Sequence, residues 1–572
     1  MMEKRVILAI ALCVGILFAW AKLFPTPVPP AASPAPVAST TALQPAAPGT
    51  PASPGTPSAA GTAGTTATGA TAAGSGVAAS YPERETVIAT NAVRLVFSNQ
   101  GAALRHAQLR EAKYLLKASD ADSGVDLVRS KDPSQAPFRI AFSDSGFPTP
   151  ADGAWKLVED APPAAPGTQQ VVYRAESPTV VVEKRFVIDE TRFRLHLDVS
   201  VQNRTALPQD HHLGILVFTE QNQDAKGGFF SGAASNTASI LCHTDDKMVR
   251  EPVDKLEKDP FEKVGAVNWV GADEKFFLLA AVPYPENPPR ERKCTGSLKA
   301  PGIGSGALSF ADRQLAPGAR TQYSFALFVG PKIIADLDEV RPGGRDVKLN
   351  EAVDVSLAVI SRPMLWLLKF FYGFVKNWGV AIILLTIFIR LLTFYPTQKS
   401  LMSAKKMQKL GPKMAAIRKK YEGDKQRQST ETMNLYKAHG VSPFGGCLPS
   451  LIQMPIWIAL YSTLNYAVEL YRSPFIFHIK DLTAKDPYYI TPLLMGGVMF
   501  VQMKMSPTSP DNQQQAMMAV MMPVMFTAFS LVLPSGLAVY MLTSYLIGIV
   551  QQLWINHLDH KANAPAPAPG RA

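Results

Sequence analysis

Charge is scarce in this chain and cysteine is scarcer. Of 572 residues only 18% are charged, against 47% hydrophobic. Residues 25 to 80 contain no Asp, Glu, Lys or Arg at all. That Pro, Ala, Gly, Thr and Ser stretch cannot bury a core, so it reads as a flexible linker with stiffer Pro-rich parts. Four cysteines are too few for a disulfide scaffold. Cys13 and Cys447 lie in or beside apolar segments, whereas Cys242 and Cys294 fall in a soluble region and can pair if it faces an oxidising space. HExxH, GxxxxGK[ST] and GxSxG motifs are all missing, so no metal site, nucleotide-driven pump or serine hydrolase is expected, and no cofactor.

Acidic residues run short toward the C-terminus. From Glu351 onward there are 21 Lys and Arg against 10 Asp and Glu, whereas the first 350 residues hold 36 of each. The basic excess therefore belongs to the apolar part of the chain, which points to membrane topology rather than to nucleic acid.

What is present divides the chain into distinct parts. Residues 1–24 carry Lys4 and Arg5 ahead of an apolar run from Val6 to Ala21, about 24 Å as a helix. Trp20, Leu23 and Phe24 extend the run and favour a retained transmembrane anchor, while "AWA" at 19–21 also fits a signal-peptide cleavage site. After the linker, residues 81–350 are rich in Val, Phe and Thr. Phe193, Leu195, Leu197, Val199 and Val201 alternate with Arg194, His196, Asp198 and Ser200, the period of half-buried strands. One large all-β sandwich is expected there. Residues 351–376 predict an amphipathic helix lying in the membrane interface, with a short buried helix as the alternative.

Residues 377–558 hold five longer apolar segments, at roughly 378–396, 448–468, 488–504, 515–533 and 536–555. With the N-terminal segment these predict about six transmembrane helices. The stretch from 397 to 445 contains eleven Lys and Arg but only Glu422, Asp424 and Glu431 as acids, which makes it cytoplasmic by the positive-inside rule. Both termini then lie inside and the β-domain outside. Within this stretch, 397–440 reads as a cytoplasmic helical hairpin. Met407, Leu410, Met414, Ile417 and Tyr421 recur at 3,4,3,4 spacing, and Lys405, Lys409, Lys413 and Lys420 share another face. That basic face is suited to anionic lipid headgroups. A short tail, 559–572, ends the chain.

One residue breaks the apolar pattern. Arg390 stands in "IILLTIFIRLLTFYP" (382–396), where an arginine costs at least about 2.5 kcal/mol at the centre of a span. Glu469 is the only acid in the spans, and it belongs to the opposite end of its own segment. Arg390 therefore snorkels toward Tyr395 and the headgroups, bonds carbonyls and hydroxyls, or lines a water-filled cavity. Polar residues scattered over the spans favour the cavity. Thr386 lies one turn before Arg390, and Ser450, Gln453, Ser462, Asn465, Gln502, Thr543 and Ser544 sit on other segments. Methionines crowd the same region, a composition suited to varied apolar partners.

The stretch "KMQKLGPKMAAIRKKYEGDKQRQSTETMNLYKAHGVSPFGGCLPSLIQMPIWIALY" (406–461) closely resembles the YidC membrane-protein insertases, as do "DPYYITPLLMG", "MMPVMFTAF" and "PSGLAVYMLTSYLIGIVQQ". The N-terminal span and large exported domain look like the Gram-negative branch, with a periplasmic domain. The resemblance implies insertion and folding of inner-membrane proteins, alone or with the Sec translocon, with nascent membrane proteins and membrane lipids as partners and no nucleic acid. It implies a hydrophilic substrate groove built around Arg390, with Thr386, Gln453, Ser450 and Tyr540 in it. It also implies that the family's cytoplasmic hairpin falls on 397–440, and that the β-domain is a sugar-mutarotase-like sandwich without that activity. Two features depart from relatives. Tyr540-Met541 stands where some have Tyr-Tyr, and the tail "HKANAPAPAPGRA" is short and nearly neutral, so only weak ribosome binding through it is expected.

Overall fold

The computed structural model describes residues 80–562 apart from 118–119, 121–122, 144, 163, 165–167, 189–192, 222–237, 245–246, 287–290, 312, 354–356, 442–447 and 506–512. The expected N-terminal anchor, nearly all of the linker and residues 563–572 of the tail lie outside the described residues.

The first half is built on antiparallel sheets. A nine-stranded sheet runs in the order Lys247–Pro252, Ser239–Thr244, Val267–Asp273, Phe277–Pro283, Arg320–Pro331, Arg194–Asn203, Val180–Ile188, Gln169–Glu176 and Trp155–Leu157. A six-stranded sheet is made of Phe261–Gly265, Arg292–Ala300, Ile303–Phe310, Gln209–Glu220, Arg313–Leu315 and Arg139–Ser143. A three-stranded sheet, Glu85–Ala89, Val93–Ser98 and Ala103–Leu109, adds to them. Alternation explains why the larger sheets face one another. Phe193, Leu195, Leu197, Val199 and Val201 are all buried, and they share one core with Ile215, Val217 and Leu308 of the six-stranded sheet. Cys242 and Cys294 form a disulfide, which ties a strand of the nine-stranded sheet to one of the six-stranded sheet.

The link to the helical half is fastened to the edge of this domain. The Trp269 indole N–H donates to the Val347 carbonyl at 3.0 Å, an Arg250 amine to the Ala352 carbonyl at 2.7 Å, and His243 lies 3.3 Å from the Glu351 carboxylate. Arg250 and Lys332 flank the buried Asp273, Lys332 at 2.8 Å.

Among the described residues nine helices follow: α1 (Ala358–Val375), α2 (Trp378–Leu392), α3 (Phe394–Lys409), α4 (Gly411–Lys420), α5 (Lys425–Ala438), α6 (Leu448–Tyr466), α7 (Ile490–Met505), α8 (Gln513–Ser530) and α9 (Ser535–Ala562). Helix α1 buries Ser361, Met364, Leu365 and Leu368, and exposes Val359, Trp366, Phe370 and Phe374 on the other side. Asn377 caps α2, its side-chain oxygen accepting from the Val380 N–H at 3.1 Å. Asp424 caps α5 in the same way through Arg427. Leu368, Ile382, Leu385, Leu460, Leu464, Met495, Leu537 and Tyr540 form the second core, at the centre of α1, α2, α6, α7 and α9.

Among the described residues only one helix segment, Ser535–His557, is long and apolar enough to cross a membrane by itself. Trp378–Leu392 and Phe394–Lys409 pass together, but they are bent by 62° at their junction. Helix α7 has 16 residues, about 24 Å, short of a hydrocarbon core of about 30 Å. Helices α6 and α8 each carry an internal proline, Pro455 and Pro523. Five of the six expected spans fall among the described residues, and helix length and hydropathy support only one or two of them there.

The basic stretch folds back on itself through α3, α4 and α5. It begins at Phe394, three residues before the expected start of the hairpin. Leu410, Tyr436 and Val441 make a small core, with Met407, Met414 and Leu435 packed against it. Gly411 and Pro412 break the helix between α3 and α4, where the proline occupies a first-turn position with no N–H to lose.

Candidate functional site: the arginine between helices

Arg390 lies in the last turn of α2 and points between helices. Its Nε donates to the Ser544 Oγ of α9 at 2.9 Å, and a terminal amine donates to the same oxygen. The Tyr540 and Tyr545 hydroxyls are within electrostatic range of the guanidinium. Tyr540 and Ser544 are one turn apart on α9, so both face the same neighbour. The Gln453 amide of α6 donates to the Tyr540 hydroxyl. Arg390, Ser544, Tyr540 and Gln453 thus form one polar chain across α2, α9 and α6. Among the described residues none of its members is a carboxylate. The guanidinium is bonded by a single hydroxyl among the described residues, that of Ser544.

Glu469 is elsewhere, as its position in the sequence implies. It pairs with Lys369 of α1 at 2.5 Å, next to the β-domain.

The other expected groove residues are distributed differently. Thr386 is 1% exposed and its hydroxyl donates to the Ile382 carbonyl of its own helix at 2.7 Å. Tyr540 is 2% exposed and engaged with Gln453, so it supports the cluster from behind rather than lining an open surface. Met541, the residue that departs from the tyrosine pair, is buried in the helical core. Ser450 lies in the first turn of α6, and its side chain is outside the described residues. In the hairpin, Lys405 donates to the Ile555 carbonyl of α9 at 3.3 Å, Lys413 lies 3.2 Å from a ring nitrogen of His439, and Lys409 is in the last turn of α3. Met407 and Met414 flank the hairpin core.

Ser544, the direct partner of Arg390, was legible only as one of several polar residues in the last segment. Its i, i+4 spacing from Tyr540 is the signal that singles it out. Gln502 of α7 packs against Gly548 of α9, where a Cβ would collide with the Gln502 amide. A polar side chain between apolar helices here requires a glycine opposite it.

Two family profiles match, 60Kd inner membrane protein over residues 370–563 and YidC periplasmic domain over residues 85–367. The membrane protein insertase YidC of Anaeromyxobacter dehalogenans (strain 2CP-C) is 33% identical over 584 residues, covering 100% of this chain and 99% of that protein. The chain belongs to the YidC membrane protein insertase family. The YidC of Geobacter sulfurreducens is 35% identical over 567 residues, covering 98% of this chain and all of that protein. A YidC insertase crystal structure with its first transmembrane domain resolved aligns at 19% identity and a TM-score of 0.35, over 82% of this chain and 94% of that one. The match of residues 85–367 identifies the β-rich half as the YidC periplasmic domain.

Proposed function

We propose that this YidC family member inserts segments of newly made proteins into the inner membrane, and that Arg390 is the electrostatic attractor for their polar or acidic parts. The observation that carries this is a cation held between helices by a serine hydroxyl, with no carboxylate bonded to it among the described residues. At 4 Å a carboxylate gains about 1 kcal/mol from such a charge in water and about 4 kcal/mol at an effective dielectric of 20. An acidic substrate segment supplies the missing anion. Exposed apolar side chains on α2 itself, Leu391 and Leu392, and on α9, Leu546 and Val550, then offer a route into lipid.

In the proposed topology six spans cross the membrane, with both termini and the hairpin in the cytoplasm and the β-domain in the periplasm. Contacts at the two ends of the helical bundle support this. The β-domain, the end of α6 and the starts of α2 and α9 meet at one end, where the Asn377 amide donates to the Phe475 carbonyl and the Gly536 N–H to the Leu482 carbonyl. The hairpin and the C-terminal part of α9 meet at the other, through Lys405 and the Ile555 carbonyl. Helices shorter than the bilayer fit if the bilayer thins locally, which also lowers the barrier to an incoming segment. In this reading the hairpin's basic face lies on anionic headgroups, the Sec translocon is a partner for some substrates, and the tail contributes little ribosome binding.

The test is insertion of a radiolabelled substrate with an acidic translocated region into liposomes holding the purified protein, with and without Sec. Arg390→Ala is expected to reduce insertion at least tenfold, while Arg390→Lys retains most of it. Normal insertion by both variants would sink the electrostatic role. Solute flux without insertion would identify a transporter, and insertion only with Sec an assembly factor.

A further inference from the structure

The loop after α6 reaches out of the helical half and plugs into the β-domain. Val468 is fully buried within the core of the β-domain. The Tyr471 ring stands in a socket of Tyr114, Phe276 and Phe277, with ring centroids at 5.8, 5.1 and 5.4 Å. Arg472 donates to the Leu115 carbonyl at 2.9 Å, and its own backbone takes a left-handed φ of 50°. A non-glycine residue adopts that conformation at a cost, and it persists where surrounding contacts fix it. The socket is itself built. Tyr114 is fully buried, and its carbonyl accepts from the Val125 N–H at 3.0 Å. Lys369 of α1 and Glu469, an ion pair, brace the plug from the helical side.

We propose that Tyr471 is a positioning residue: seated in the aromatic socket, it holds the β-domain on the outer end of α6 and so fixes the helix that carries Gln453. Gln453 holds Tyr540, which lies beside Ser544, the partner of Arg390. Docking therefore sets the register of the polar chain around Arg390. The docking stands on its own, and its consequence for insertion rests on the insertase reading above.

The experiment compares Tyr471→Ala, Tyr471→Phe and Arg472→Ala in the full chain in lipid nanodiscs. Hydrogen exchange is followed at 112–125 and 466–475, with Val180–Ile188 as the control strand. Losing the ring contacts is expected to speed exchange about tenfold or more in the two docking segments of Tyr471→Ala and to leave the control strand unchanged. Tyr471→Phe, which keeps the ring, matches the wild type. Unchanged exchange at both docking segments would overturn the proposal. If Tyr471→Ala also loosens the control strand, Arg472→Ala decides: acceleration confined to the docking segments supports docking, and none overturns it. In parallel, insertion by Tyr471→Ala is expected to fall severalfold and that by Tyr471→Phe to stay normal. Faster exchange with normal insertion overturns the positioning role. Wild-type protein that fails to insert, or Arg390→Ala that inserts normally, marks a failure of the insertase reading, and the exchange result still decides docking.

Discussion

At the scale of single residues, two basic side chains set among apolar neighbours show how context decides cost. Arg390 keeps its charge because a guanidinium is not deprotonated in proteins, and the Ser544 hydroxyl accepts from it. Ser544→Ala leaves the guanidinium without its hydroxyl partner, and a hydrogen bond to a charged group contributes about 1.5–3 kcal/mol. A loss of that order is expected in thermal unfolding of the purified protein, with Ser544→Thr close to wild type. Lys184 is the second case. It occupies an inward position of the strand Val180–Ile188, between Val182 and Phe186, where alternation calls for an apolar residue. Its Nζ donates to the Phe138 carbonyl at 2.8 Å and to the Ala102 carbonyl, and lies over the Trp155 and Phe186 rings. Burial, with Arg139 nearby, pushes it well below the usual lysine range. From that lowered value up to about 10.4 the unfolded chain binds the proton that the folded chain lacks, so stability rises with pH across this window. Lys184→Met is expected to flatten that rise, as read by the melting temperature of the β-domain in the full chain between pH 7 and 10. Strand periodicity is blind to such a residue, since a lysine scores as outward wherever it stands.

Among secondary-structure elements, strands were the more legible. The alternation of Phe193 to Val201 fixes which face is buried, because a slip of one residue would turn every apolar side chain to water. Strand pairing was not legible, whereas Cys294 was already the one candidate partner for Cys242 in the soluble region, and the structure joins them. The Cys242–Cys294 bond joins the two large sheets across 52 residues of chain. Its loss, through Cys242→Ser with Cys294→Ser, is expected to destabilise the β-domain by about 2–4 kcal/mol, a shift readable by denaturant unfolding in the full chain. The helices were legible in position but not in reach. Helices α6, α8 and α9 dilute their apolar sequence with hydroxyls that bond within the helix, as Thr463 does to the Ala459 carbonyl, Thr527 to Pro523 and Thr543 to Val539. Such groups are satisfied locally, and a hydropathy test still counts them as polar.

For the whole molecule, the contacts at the two ends of the helical bundle carry a prediction about sidedness. Phe477 is exposed in the loop between α6 and α7, at the end that meets the β-domain, and Glu422 is exposed in the hairpin at the other. With Cys13 and Cys447 replaced by serine, Phe477→Cys is expected to react with a membrane-impermeant maleimide in spheroplasts. Glu422→Cys is expected to react only after permeabilisation. Reaction of both from outside would overturn the proposed topology. Uneven charge along the chain is what makes this sidedness readable, since eleven basic residues crowd into 397–445.

Composition and local pattern were enough to mark the uncharged stretch, the β-rich domain, the basic hairpin and the anomaly of Arg390, because charge, period and length act locally along a chain. Folding in three dimensions decided that Arg390 meets Ser544 from a helix 154 residues away, that Tyr540 and Thr386 turn inward, and that Tyr471 crosses from the helical half into the β-domain. These are pairings between distant segments. They depend on which faces close against each other, and a hydroxyl or a ring has the same local signature whether it meets lipid, its own helix or a guanidinium.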